Sequence, residues 1–166
     1  LEGGRFMASV CGSNGGAYHN EIFYKNKTDE LIAVEPNLRP AGGRIWDAAK
    51  LAFRNFDPWR LWIHSMTGNK INNVKLEREY YVAFKMITAE KDGILLDMPL
   101  TLDGLLSKEE YGEIVWAKKH GDKVVSDPTD NSECLGHILM RHREYKYVDI
   151  RIDEVEKLIQ SKIFIK

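Results

Sequence analysis

Glu35, Asn37 and Arg39 alternate strictly within the stretch AVEPNLRPAGGRIWDA. In an extended segment, alternation puts all three on one face. A half-buried strand normally carries Val, Ile or Phe there. Upstream, AYHNEIFY sets His19 and Glu21 on one face of a second extended stretch. Pairing the two segments brings Glu21 near Glu35 and Asn37. Two carboxylates and an amide oxygen make a hard, all-oxygen donor set. Such a set suits magnesium and leaves positions open for water and phosphate. Arg39 adds a group suited to phosphate. Gly42 and Gly43 expose backbone N–H groups at a helix start, where an anion is welcome. Taken singly, each of these residues fits a solvated hairpin face with ordinary ion pairs. Their shared parity on two strands is what points to a site.

The elements that must position these residues are legible nearby. Residues 17–24 and 31–37 read as strands joined by the polar turn KNKTDE, an antiparallel hairpin. Pro36 inside the second strand calls for an edge or a bulge. The glycines open a helix, RIWDAAKLAF, with Ile45, Ala48, Ala49 and Ala52 at helical spacing. In NFDPWRLWIHSMTG, Asp57 suits an N-cap, Pro58 the first helical position and Gly68 the stop. Trp59, Trp62, Ile63 and Met66 form an apolar stripe on that helix, expected to be core. On that expectation Trp62→Ala costs about 3–5 kcal/mol.

The second half changes character after the loop NKINN. EYYVAFKMITAEKDGILLDM reads as a hairpin turning at Lys91-Asp92-Gly93. GEIVWAKKHGDKVV reads as another, turning near Gly121-Asp122. ECLGHILMRH is a strand interrupted by Gly136. DIRIDEVEKLIQSKIF ends the chain as an amphipathic helix with Val155, Leu158 and Ile159 on one side. The expected class is α+β, a mostly antiparallel sheet with flanking helices. Three stretches follow: residues 1–14 as a tag or truncation remnant with an entry loop, 15–75 carrying the polar hairpin and its helices, and 76–166 as a β-rich lobe ending in a helix.

Composition narrows the classes. A hydrophobic fraction of 43% is enough for a real core, and a net charge of −1 argues against nucleic acid as a partner. No apolar run approaches the roughly 18 residues of a membrane span, so no membrane partner is expected. Cys11 and Cys134 stand far apart with no CxxC pair, which points to a reduced, cytoplasmic setting. The five histidines show no regular ligand spacing. LEGGRF carries no targeting pattern and reads as a remnant ahead of Met7 or as the cut end of a longer chain.

YHNEIFY, LIAVEPNLRPAGGRIWDAAKLAF and DPWRLWIHSMTG together resemble the catalytic half of the ATP-grasp carboxylate–amine ligases. That family's pattern is an acidic residue on one strand, then E-x-N-x-R on the next, then glycines and two helices. The particular form is similar to the amino-acid, peptide and carbamoyl-phosphate-synthase-like members, and the second half is loosely similar to the family's C-terminal lobe. The resemblance implies that Glu21, Glu35 and Asn37 hold Mg2+ (or Mn2+) bridging the phosphates of ATP. It implies that Arg39 is catalytic, steadying the transferred phosphate, and that Arg39, Gly42, Gly43 and Arg44 bind the anionic groups of cofactor and substrate. His19 would orient Glu21 or fill the sheet.

The implied activity is activation of a carboxylate as an acyl phosphate, then attack by an amine, on small-molecule substrates. Family members also have an N-terminal half with a lysine-bearing strand, a glycine-rich flap and an adenine pocket. GSNGG reads as the loop entering the hairpin rather than that flap. The expectation is therefore a C-terminal part of a ligase, completed by a missing half or by self-association, and inactive alone. Two alternatives stand beside it. One is a non-catalytic remnant serving as a binding or interaction domain, and the other is a metal-dependent hydrolase of unrelated fold.

Overall fold

The computed structural model describes residues 16–72, 74–107 and 110–166. The expectations placed on residues 1–14, on Met7 and Cys11, and on GSNGG up to residue 15 lie outside these. The chain divides into two compact units. The first takes in residues up to Lys50 together with Asn55–Leu76, and the second Leu51–Arg54 together with Glu77–Lys166.

In the first unit, β1 (His19–Lys25) and β2 (Glu30–Asn37) form a two-stranded antiparallel hairpin. Its turn is closed by Thr28 N donating to Lys25 O, and Asp29 sits at φ 55. The pairing runs His19 with Asn37 and Glu21 with Glu35, then jumps to Ile22 with Ala33. Val34 is thus an extra residue, the bulge that Pro36 called for. Helix α1 (Ile45–Ala52) follows the glycines, and α2 (Pro58–Met66) follows Asp57. Asp57 caps as expected: its carboxylate accepts from Arg60 N at 3.1 Å, Pro58 opens the helix, and Gly68 lies just beyond the Thr67 C-cap at φ 72.

The tryptophan stripe is not buried. Trp59, Ile63 and Met66 are 36%, 59% and 68% exposed, and Trp62 is half-buried. Ile45 of α1 is exposed as well. Helical periodicity tells which side chains share a face, not that another layer covers it. The rings instead pack on one another: Trp46 lies 4.8 Å from Trp59 and 6.0 Å from Trp62, both edge-on.

The second unit carries the hydrophobic core. Strands β3 (Phe53–Arg54) and β4 (Glu77–Arg78) form a short pair. Strand β5 (Tyr81–Ile87), β7 (Tyr111–Trp116) and β9 (Gly136–His142) make a three-stranded sheet with β9 in the middle. Strand β6 (Gly93–Asp97), β8 (Lys123–Val124) and β10 (Phe164–Ile165) make another with β6 in the middle. Every pairing is antiparallel, so the α+β class holds. Helix α3 (Tyr145–Gln160) buries Val148, Ile152, Val155 and Ile159 against Ile87, Leu95, Leu135, Ile138 and Met140.

Three expectations change here. Neither second-half hairpin forms: β5 pairs with β9 rather than β6, and β7 pairs with β9 rather than β8. The turn at Lys91-Asp92-Gly93 does reverse the chain, but into a different sheet. The chain also ends in strand β10 rather than in the helix, and Leu158 is 40% exposed, off the buried stripe. Gly136 opens β9 rather than interrupting a strand. A Cβ there would run into the Val115 carbonyl oxygen, so the close approach of β7 requires glycine.

Candidate functional site

All the residues singled out for chemistry lie in the first unit, and hairpin register decides how they meet. Directly paired residues of antiparallel strands share a face. Glu21 therefore faces Glu35 across the strands, and His19 faces Asn37. His19 Nε2 lies 3.5 Å from Glu21 Oε1, which ties the imidazole to the first carboxylate. The bulge at Val34 falls immediately before Glu35. It places Ile32 rather than Ala33 opposite Phe23, so the polar pairs give way to an apolar one just past the bulge.

Asn37 is half-buried, and its Nδ2 is buried without a hydrogen-bond partner among the described residues. That nitrogen is a donor and suits an acceptor such as a phosphate oxygen, while only the amide oxygen could face a cation. Among the described residues no three His, Cys, Asp or Glu side chains gather closely enough to hold a metal ion by themselves. A site here rests on the two glutamates together with the Asn37 amide. That set is hard and all-oxygen, the chemistry magnesium takes.

Beyond β2 the chain turns sharply. Arg39 is exposed, and its Nη1 donates to its neighbour's carbonyl, Pro40 O, at 3.2 Å. Gly43 and Arg44 both have left-handed backbones, at φ 57 and φ 59. Glycine takes that conformation freely and arginine does not. Gly42 and Gly43 are exposed, and no neighbouring atom would crowd a Cβ on either, so the loop is open on that side.

Arg44 differs from Arg39, because its Nε donates to Asp47 Oδ2 at 2.9 Å. The other Asp47 oxygen accepts from Trp59 Nε1 at 3.1 Å. Asp47 thereby fixes the loop's arginine and joins α1 to α2. Nothing in the sequence reading marked Asp47. The available signal was its place three residues after Arg44, in the first turn of α1. Lys50 reaches Asp57 Oδ2 at 2.7 Å, and that ammonium and the Arg60 amide hold the Asp57 carboxyl below its usual range.

The fold matches solved structures of ligases. The chain is similar to phosphoribosylglycinamide synthetase from Anaerococcus prevotii, with a TM-score of 0.73 and 16% identity over 96% of this chain and 39% of that one. It is similar to L-amino acid ligase from Bacillus licheniformis, with a TM-score of 0.72 and 15% identity over 96% and 38%. It is similar again to N5-carboxyaminoimidazole ribonucleotide synthetase from Thermotoga maritima, with a TM-score of 0.58 and 13% identity over 91% and 38%. The chain thus spans about two-fifths of the length of these structures. No protein-family model and no curated protein matches it in sequence. The chain accordingly shares its fold with about two-fifths of each of these structures.

Proposed function

We propose that this chain is the metal-binding and C-terminal part of an ATP-dependent ligase that joins a small carboxylate to an amine. The observation that supports it best is the register of the hairpin. Glu21 opposes Glu35, with Asn37 two residues further along the same face, on a fold shared with carboxylate–amine ligases. These three residues would hold Mg2+ or Mn2+. Such an ion, when bound, neutralises charge on the phosphates of ATP.

The chain's own groups have distinct tasks. Arg39 has no carboxylate partner among the described residues, so its guanidinium is available to the phosphate being transferred to the substrate carboxylate. The Gly42 and Gly43 amides would receive an anionic group of cofactor or substrate. Arg44 joins them only by leaving Asp47. His19 positions Glu21. The amine then displaces phosphate from the activated carboxylate. A cytoplasmic setting is part of the same proposal; among the described residues no helix is long and apolar enough to cross a membrane. The apolar residues that the hairpin leaves exposed would be covered by a further part of the ligase, supplied by a longer protein or by another subunit.

The test is ADP release by the longer ligase, assayed against a panel of amino acids. Asn37→Ala is expected to lower turnover about 100-fold or more, the scale of a lost electrostatic contact, and Glu35→Gln at least as much. Full activity in Glu35→Gln would end the assignment of Glu35 to the metal site, and no ADP release by the native protein with any substrate would end the ligase reading and leave a non-catalytic binding domain in its place.

A further inference from the structure

The second unit carries a cluster of arginines that none of the chemistry above uses. A cavity of about 410 Å³ is lined by Arg54, Glu77, Arg78, Glu79 and Arg143. Strand pairing builds it: β3 and β4 set Phe53 opposite Arg78 and Arg54 opposite Glu77. Glu79 N and Tyr80 N both donate to Ala52 O, which locks the chain leaving β4 against that pair.

Aromatic rings hold the guanidinium groups in place. Arg78 lies 4.2 Å over the Tyr81 ring. Arg143 lies 5.7 Å from the Tyr80 ring, which also carries Arg141 at 4.4 Å, and Arg141 in turn stacks on Tyr111 at 4.4 Å. A stacked guanidinium loses less freedom on accepting a ligand than a free one.

The internal ion pairs leave this charge largely unspent. Glu79 is 3.5 Å from Arg54 and 3.8 Å from Arg143, long contacts of the kind that contribute little at a surface. Arg78 has no carboxylate partner among the described residues. Three guanidinium groups against two carboxylates leave the lining net positive.

We infer that this cavity is an anion site for a phosphate group. A tetrahedral phosphate offers enough acceptor oxygens for several forked donors at once, whereas a carboxylate is filled by one or two. Glu79 sets its selectivity: it lies beside Arg54 and Arg143 when the site is empty and gives them up to the ligand. This site belongs to the second unit and does not depend on the ligase reading.

The experiment is a titration of the 166-residue chain with inorganic phosphate, followed through the arginine side-chain N–H resonances. Saturable shifts at Arg78 and Arg143 are expected. Arg78→Gln should weaken binding about tenfold or more. Glu79→Gln, which frees Arg54 and Arg143 and removes a negative charge, should tighten it severalfold. Glu35→Gln should leave it unchanged, which separates this site from the hairpin. Near-ultraviolet circular dichroism checks that each variant folds, and Arg143→Gln serves as the second variant if Arg78→Gln does not. Absence of saturation, native affinity in both arginine variants, or tighter binding of succinate than of phosphate would overturn the assignment.

Discussion

Glu110 is the carboxylate whose surroundings alter it most clearly. Its side chain is 3% exposed. Burial alone would push its carboxyl up. Arg151 Nε at 2.7 Å, the Ser107 amide at 2.6 Å and the Tyr147 hydroxyl at 2.9 Å outweigh that and hold it down to about 2. Arg151 also donates to Leu105 O at 3.0 Å, so the cluster ties the segment before β7 to α3. A depressed carboxyl stabilises the folded state above its unfolded value and loses that contribution as pH falls through the folded one. The drop from 4.5 to about 2 corresponds to roughly 3 kcal/mol. Chemical denaturation should therefore show the native chain losing roughly 3 kcal/mol more than Glu110→Gln between about pH 5 and about pH 2. Parallel pH profiles for the two proteins would refute this. At the hairpin, the parity of Glu21, Glu35 and Asn37 was legible because alternation is fixed by strand geometry. Asp47 was not, because an aspartate in a first helical turn has an ordinary structural use there and nothing local marks it as an arginine's partner.

Among the elements, those defined by neighbouring residues could be read, and those defined by distant pairing could not. Helix α2 carries its start and stop within its own sequence. The hairpin carries its turn between its strands. The turns at Gly93 and Gly121 announce only that the chain reverses. Strand β6 reaches its partners at Lys123–Val124 and Phe164–Ile165, and no local signal specifies either. The capping of α2 gives a measurable consequence. Asp57→Ala removes the acceptor for Arg60 N and the partner of Lys50. It should cost about 1 kcal/mol, the usual worth of an N-cap, read as a lower urea midpoint in helix-sensitive circular dichroism. Asp57→Asn, which keeps the cap, should recover most of it. An unchanged midpoint in the alanine variant would show that the cap contributes nothing. At the other end of the scale, Gly136→Ala should destabilise by 1 kcal/mol or more, on the order of other overpacking substitutions, because β7 leaves no room for a Cβ. A neutral result would mean that β7 and β9 can separate freely there.

Across the whole molecule, burial is concentrated in the second unit. The residues of the hydrophobic cluster all lie between Ile87 and Ile165, while Phe23, Tyr24, Leu31 and Val34 of the hairpin are half or more exposed. A two-stranded sheet without a covering layer is marginal in water. Hydrogen exchange should accordingly find the greatest protection in β5, β9 and α3, and rapid exchange in β1 and β2. Equal protection of β1 and β9 amides would contradict that division of stability.

The central claim concerns the hairpin's polar face, and Mn2+ binding to the 166-residue chain, followed by electron paramagnetic resonance, addresses it most directly. The expected result is saturable binding of one ion with a dissociation constant below about 1 mM, roughly −4 kcal/mol. It should weaken at least about tenfold in Glu21→Gln and in Glu35→Gln, and it should not change in Glu77→Gln. Binding that is absent, or that survives both hairpin substitutions undiminished, would contradict the assignment of Glu21, Glu35 and Asn37 as a metal site.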